Sequence, residues 1–195
     1  DTIAKYGYDG FDLDAEPSYA QPFQTDKELW QNAKVMEAFV KTMGKRIGPK
    51  SGTGKMFVID GEPDAMAAQY GEYFNYFILQ AYNSSGNSDL NSRFTAQATH
   101  FQQYLTPEQV ANKLIVCENF ENYAGKGGVS FRLDNGTTLP SLLGMAYWNP
   151  VYNGVTYRKG GVGTYHMEYE YTVSGQTGNY PFLRKAIQIM NPSIQ

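Results

Sequence analysis

Cysteine is almost absent: Cys117 is the single one, so no internal disulfide can form and thiol usage does not report a redox compartment. It sits in the apolar run Leu114-Ile115-Val116-Cys117, where a small buried hydrophobe is expected rather than a nucleophile. The 2 histidines, His100 and His166, have no partner spacing, and no cluster of His, Cys and Asp suggests a metal site. Neither metal nor cofactor is therefore expected. Positive charge is not in excess: 16 Lys and Arg face 19 Asp and Glu, a net charge of −3, which leaves no basic footprint for nucleic acid. No stretch approaches the roughly 18 apolar residues of a membrane-spanning helix, and no signal-peptide pattern opens the chain. A phosphate loop is missing too. Gly48-Pro49-Lys50-Ser51-Gly52-Thr53-Gly54-Lys55 has the letters of one, but it precedes a strand and reads as a turn.

The 195 residues, 42% of them hydrophobic, are enough for one domain with a sizeable core. Aromatics are plentiful, with 16 Tyr, 11 Phe and 2 Trp. A flat apolar face with a hydrogen-bonding tip suits carbohydrate as well as core packing. Periodicity predicts a helix over residues 26–43, capped by Thr25 or Asp26 and carrying Leu29, Trp30, Val35, Met36, Phe39 and Val40. Short apolar runs predict strands at 56–59, ending in Asp60-Gly61, at 76–83, at 113–117 and, last, at 144–149. Helices are expected at 63–73, 90–104, from Thr106-Pro107 onward, and at 181–190, with an irregular tyrosine-bearing segment over 150–179. Apolar strands alternating with helices argue an α/β fold around a parallel sheet buried on both faces. A doubly wound sheet and a (β/α)8 barrel both place ligands at the carboxyl ends of the strands. A barrel needs eight strands and about 250 residues. This chain would then supply only the last five strands, with the first three missing ahead of its abrupt, Met-less start.

The most informative stretch is Asp9-Gly10-Phe11-Asp12-Leu13-Asp14-Ala15-Glu16-Pro17, in a chain that is only 18% charged. With period 2, Asp12, Asp14 and Glu16 point one way while Phe11, Leu13 and Ala15 point the other. Burying carboxylates is costly unless they are paired, hydrogen-bonded or protonated. An edge strand would leave these acids in solvent. The alternative is a strand that ends in a cleft, with Glu16 at the mouth.

Residues 9–16 also fill every position of the D-G-x-D-x-D-x-E signature and so resemble the family 18 glycoside hydrolases, chitinases and endo-β-N-acetylglucosaminidases. The resemblance implies a (β/α)8 TIM barrel in which the signature is the fourth strand, so that this chain carries strands 4 to 8. Gln80-Ala81-Tyr82-Asn83 looks like the end of the sixth strand and Ala146-Tyr147-Trp148-Asn149 like that of the eighth. Ala15 departs from the Trp common there in chitinases and tilts the reading toward the endo-β-N-acetylglucosaminidase branch. Glycoside hydrolysis usually needs a proton donor and a nucleophile or base. Glu16, last on the strand, is placed to be the acid, and Asp14 lies too close to it to attack across a sugar ring. The resemblance resolves this by substrate-assisted, retaining catalysis, in which the substrate's own 2-acetamido oxygen forms an oxazolinium ion. Asp14 would then orient the acetamido N–H, Asp12 would share a proton with Asp14, and Tyr82 would aim the acetamido oxygen. Gln80, Asn83, Tyr147, Trp148 and Asn149 would bind the adjacent sugar, with Trp148 as its floor, and Glu118 would reach more distant ones. For most of these aromatics, packing in the core is a comparable expectation.

The implied partner is a glycan or glycoprotein. The preferred bond is the β-1,4 link in the chitobiose core of N-glycans, with chitin second, and an N-terminal segment would complete the barrel. Such enzymes act outside the cytoplasm. A relative that binds glycans without hydrolysis is the rival reading, but those usually lose the terminal acid, and Glu16 is present.

Overall fold

In the computed structural model, which describes residues 2–18, 27–172 and 179–192, the acidic stretch is a strand at the edge of a parallel sheet. The strands in chain order are β1 (Gly10–Ala15), β2 (Met56–Gly61), β3 (Tyr76–Gln80) and β4 (Leu114–Asn119). Two antiparallel ribbons follow, β5 (Ser130–Arg132) with β6 (Thr138–Pro140) and β7 (Val151–Tyr152) with β8 (Val155–Thr156). Last comes β9 (Gly161–Tyr165). The main sheet has the spatial order β1-β2-β3-β4-β9, and every pairing in it is parallel. A doubly wound sheet would reverse its strand order at a switch point. This one runs monotonically, as consecutive strands of a barrel wall do.

The helices are α1 (Thr2–Tyr6), α2 (Lys27–Gln31), α3 (Ala33–Gly44), α4 (Asn87–Phe101), α5 (Pro107–Lys113), α6 (Ser141–Tyr147), α7 (Glu168–Thr172) and α8 (Pro181–Met190). Residues of even register on β1 and β2 turn to one face of the sheet, and Phe11, Leu13, Phe57 and Ile59 turn to the other, beneath the helices. That side is packed with phenylalanine. Phe57, Phe74, Phe77, Phe94 and Phe101 are all fully buried, and Phe77 stacks on Phe101 with ring centroids 4.8 Å apart. Burying such rings supplies the non-directional drive for the helix layer to close on the sheet.

Local chemistry sets the element ends. Thr106 and Gln109 form a reciprocal capping box at the start of α5, followed by Pro107 in the first turn. Glu170, fully buried, accepts from the N–H groups of Phe182 (2.5 Å) and Leu183 (3.3 Å) and so caps α8 from another element.

Three expectations are corrected. The helix expected over 26–43 is two helices, because Asn32 turns extended (φ −115°) and caps α3, its side chain accepting from Lys34 N and Val35 N. The expected caps Thr25 and Asp26 lie outside the described residues. The brief helix expected over 63–73 is two 3₁₀ turns, Pro63–Ala65 and Ala68–Tyr73. The expected last strand over 144–149 is instead the end of α6, and the fifth strand of the sheet is β9, within the segment read as irregular. Four to eight apolar residues suit a buried helix turn as well as a strand. Here buried Lys159 donates to the carbonyls of Ala146 (2.9 Å) and Trp148, satisfying the open end of α6.

Candidate active site

The carboxyl ends of the sheet strands surround a cavity of about 800 Å³. β1 brings Asp14 to it, and Glu16 follows directly after the strand. Asp12 stands one inward position deeper. On β2 the residue in register with Asp14 is Asp60, on the same face. β3 ends in Gln80, whose Nε2 donates to Glu16 Oε1 at 3.0 Å and so fixes the acid's side chain. Tyr82 lies just beyond, its ring 6.1 Å from that of Tyr165 at the end of β9. Asn83 completes the rim in a left-handed conformation, φ 59°.

Two bonds across the strand ends hold this arrangement. Glu62 N donates to Ala15 O at 2.7 Å, and Glu62 Oε2 accepts from Ser18 Oγ at 2.9 Å, which pins the chain on either side of Glu16. Close packing requires glycine at position 10, because a Cβ there would overlap the Met56 carbonyl. Asp9 contributes through its backbone, accepting from Met56 N at 2.8 Å.

Of the residues expected to act together, the structure gathers Asp12, Asp14, Glu16, Gln80, Tyr82 and Asn83. Four others lie elsewhere. Glu118 is fully buried on the helix side, because on β4 Cys117 and Asn119, not Glu118, share the inward face with Gln80. Its Oε1 accepts from the N–H groups of Asn83 (3.1 Å) and Asn119 (2.7 Å), so it shapes the rim from behind. Trp148 follows α6 into the main core, where its Nε1 donates to Asn91 Oδ1 at 2.9 Å. Tyr147 and Asn149 line a separate cavity of about 600 Å³ beside Lys159 and the end of α8. Among the cavity residues that sequence reasoning missed are Asp60 and Tyr165. Each ends an apolar or small-residue strand with a polar side chain, as Glu16 does, and that shared position was the available signal.

Carboxylates crowded on one face hold their protons more tightly than usual. Asp14 is pushed up to about 6 by burial first, then by the charges of Glu16 and Asp60 and a hydrogen bond shared with Glu16, although it keeps solvent contact along the free edge of β1. Asp60 is also pushed up to about 6, by burial and then Asp12, against the opposing Gly61 N–H and Gln80. Asp12 is raised by burial and by Asp14. On the neighbouring strands, burial pushes the Cys117 thiol up to about 12 and raises the Tyr82 phenol, so both stay protonated at neutral pH.

A stability effect follows. These carboxyls bind protons more tightly folded than unfolded, so their contribution is fully present below the unfolded value of 3.8 and is lost as pH rises through about 6. Thermal unfolding followed by circular dichroism is expected to show a midpoint that falls between about pH 4 and about pH 7. The fall should be shallower in Asp14→Asn. An equal fall in both proteins would contradict the assignment.

The comparisons with known proteins bear on the family and the fold. The endo-β-N-acetylglucosaminidase F2 of Elizabethkingia meningoseptica is 29% identical over 199 residues, covering 97% of this chain and 53% of that protein. A selenomethionine glutamate-to-glutamine variant of BT1044 superposes with a TM-score of 0.74 at 28% identity, over 97% of this chain and 56% of that one. The endo-β-N-acetylglucosaminidase of Cordyceps militaris, at 23% identity and a TM-score of 0.64, shares the fold over 98% of this chain and 59% of its own. The chain thus spans a little over half the length of the relatives it matches. A monotonic parallel sheet with an acid-tipped strand at its edge fits the later part of their barrel. The chain matches the BT1044-like model of glycoside hydrolase family 18 over residues 1–189, and to that family it belongs.

Proposed function

We propose that this chain carries the catalytic machinery of an endo-β-N-acetylglucosaminidase that cleaves the β-1,4 bond in the chitobiose core of N-glycans, with retention. The observation that carries the reading is the pair Asp12 and Asp14 on one face of β1 with Glu16 directly after it, opening on the cavity that Gln80 and Tyr82 also line. Glu16 gives its proton to the glycosidic oxygen as that bond breaks, and the substrate's acetamido oxygen closes onto the anomeric carbon. Asp14 accepts the acetamido N–H and faces the positive charge that develops. The protonated Tyr82 hydroxyl donates to the acetamido oxygen and aims it. Water then opens the oxazolinium ring, and Glu16 takes a proton from it, restoring the acid. Asp14 stands two residues before Glu16 on the same face, beside the acid rather than across a sugar ring from it, which supports the substrate's own acetamido oxygen as the nucleophile.

Three further strands, from an N-terminal segment of the same protein, would close the sheet between β1 and β9. The exposed inner-face side chains Met56 and Tyr76 are the surface they would cover. N-glycans are displayed on secreted and cell-surface proteins, so the working compartment under this reading is outside the cytoplasm. Among the described residues no helix is long and apolar enough to cross a membrane.

Parallel incubation with a high-mannose glycoprotein and with chitooligosaccharides tests the proposal. The expected product is a released glycan, with one N-acetylglucosamine left on the asparagine. Cleavage of the chitooligosaccharides alone would redirect the reading to a chitinase. Binding without release would make the protein a lectin-like relative.

A further inference from the structure

The cavity does not end at the acids. Leu79 and Gln80 both line it, although consecutive residues of β3 turn to opposite faces of the sheet. The hollow therefore passes around the carboxyl end of β3, from the inner face to the helix layer. There it forms a side lobe against α4. Arg93, Ala96 and Gln97 line it from that helix, at positions i, i+3 and i+4, which share one helix face. Asp64 closes the lobe from the 3₁₀ turn that packs against α4.

Gln97 is the member that the fold itself does not explain. It is only 3% exposed, yet its Oε1 has no hydrogen-bond partner. An unmet buried acceptor costs free energy, which an apolar side chain of the same shape would recover. The neighbouring polar groups are also left with capacity. Arg93 gives Nε to Asp89 at 3.1 Å and keeps its terminal nitrogens, and among the described residues Asp64 forms no ion pair. Donors and acceptors thus stand around an apolar floor of Leu79 and Ala96. An anion would meet Asp64 and Glu62, and a cation would meet Arg93. Neutral hydroxyls, each able to donate and to accept, suit all three side chains at once.

We propose that the lobe between α4 and Asp64 is a subsite for a neutral sugar other than the two that flank the cleaved bond, held by Gln97, Arg93 and Asp64. The inference rests on the hydrolase reading, which puts those two sugars beside Asp14, Glu16 and Tyr82. A cavity of about 800 Å³ lies toward the upper end of the range that engulfs a whole small ligand, so a further ring has room. The C–H face of that ring rests on Leu79 and Ala96. The last torsion of a glutamine is broad, so its oxygen can turn from the wall to accept from a sugar hydroxyl.

Gln97→Met is the test, read on a high-mannose glycopeptide and on an aryl β-chitobioside, which carries only the two flanking sugars. Loss of one neutral hydrogen bond is expected to raise KM about 3–10-fold more for the glycopeptide than for the chitobioside, with kcat little moved. Ala96→Leu fills the lobe from the exposed side of α4 and should widen the gap between the substrates further. Thermal unfolding without ligand supplies an independent sign. Gln97→Met should raise the midpoint, because it removes the unmet acceptor, whereas a packing role for Gln97 would lower it. Equal changes of KM on the two substrates, or a lowered midpoint, overturn the proposal. A chain that cleaves neither substrate defeats the hydrolase reading, and binding then decides the subsite. In that case the ¹⁵N side-chain amide signal of Gln97 shifts with the glycopeptide and not with the chitobioside, and a signal that stays in place for both rejects the subsite.

Discussion

Glu16→Gln is expected to lower the rate of glycan release by about 10²–10⁴-fold while glycan binding stays within about a factor of two. The amide has nearly the same shape and keeps an oxygen to accept the 3.0 Å bond from Gln80 Nε2, so the side chain stays where the carboxyl was. What it loses is an acidic proton. The departing sugar oxygen then leaves unprotonated, and the transition state forfeits its main stabilisation on that side. Loss of folding cannot imitate the result, because the substitution removes a negative charge from beside Asp14, where carboxylates repel. Release of reducing ends from a glycoprotein, with binding of the same glycan by calorimetry, measures both arms. Near-full turnover would displace Glu16 from the role of acid and, with it, the reading of β1 as the catalytic strand.

That reading came from the sequence because β1 obeys the simplest periodicity there is. Acid and apolar side chains alternate over six residues, and a pleated strand must separate them onto two faces. The rule did not place Gln80, which came instead from the resemblance of Gln80-Ala81-Tyr82-Asn83 to the end of a family strand. It failed for Glu118, where the choice of face depends on register with β3, and register is a property of two strands rather than one. It failed more completely at the end of the chain. Gly144-Met145-Ala146-Tyr147-Trp148 has the composition of a buried strand, but the buried ammonium of Lys159, eleven residues past Trp148, serves the carbonyls that end its helix. β9 is hidden for the opposite reason. Gly161 and Gly163 lower its strand propensity, and what makes it a strand is pairing with β4, along which Ile115 fills the space beside Gly161. Asp60 was visible as a residue ending a strand. Only the pairing of β1 with β2 shows that it stands beside Asp14.

Gly61→Ala is expected to cost about 3 kcal/mol of stability and to lower the unfolding temperature by roughly 10 °C. Two causes combine. Gly61 has φ +97°, where an L side chain is strained by about 1–2 kcal/mol, and a Cβ there would stand 2.5 Å from Ala15 O and 3.0 Å from Glu16 Cγ. Something must move, and β1 is the weaker party. Among the described residues it lies at the edge of the sheet and pairs with β2 on one side only, so the cheapest relief is for its carboxyl end to lift away. That end carries Glu16. Lifting it stretches both the Glu62 N bond to Ala15 O and the Gln80 bond to Glu16, so catalysis should fall further than the loss of folded protein explains. Gly52→Ala is the control, since Gly52 has φ +69° but nothing within 4 Å of its added Cβ, and it should cost only the backbone strain, about 1 kcal/mol. Calorimetric unfolding of the two variants separates the collision from the strain. Equal losses would mean that β1 does not rest on Gly61, and the close approach that delivers Glu16 to the cavity would have to be attributed to the Ser18–Glu62 link instead.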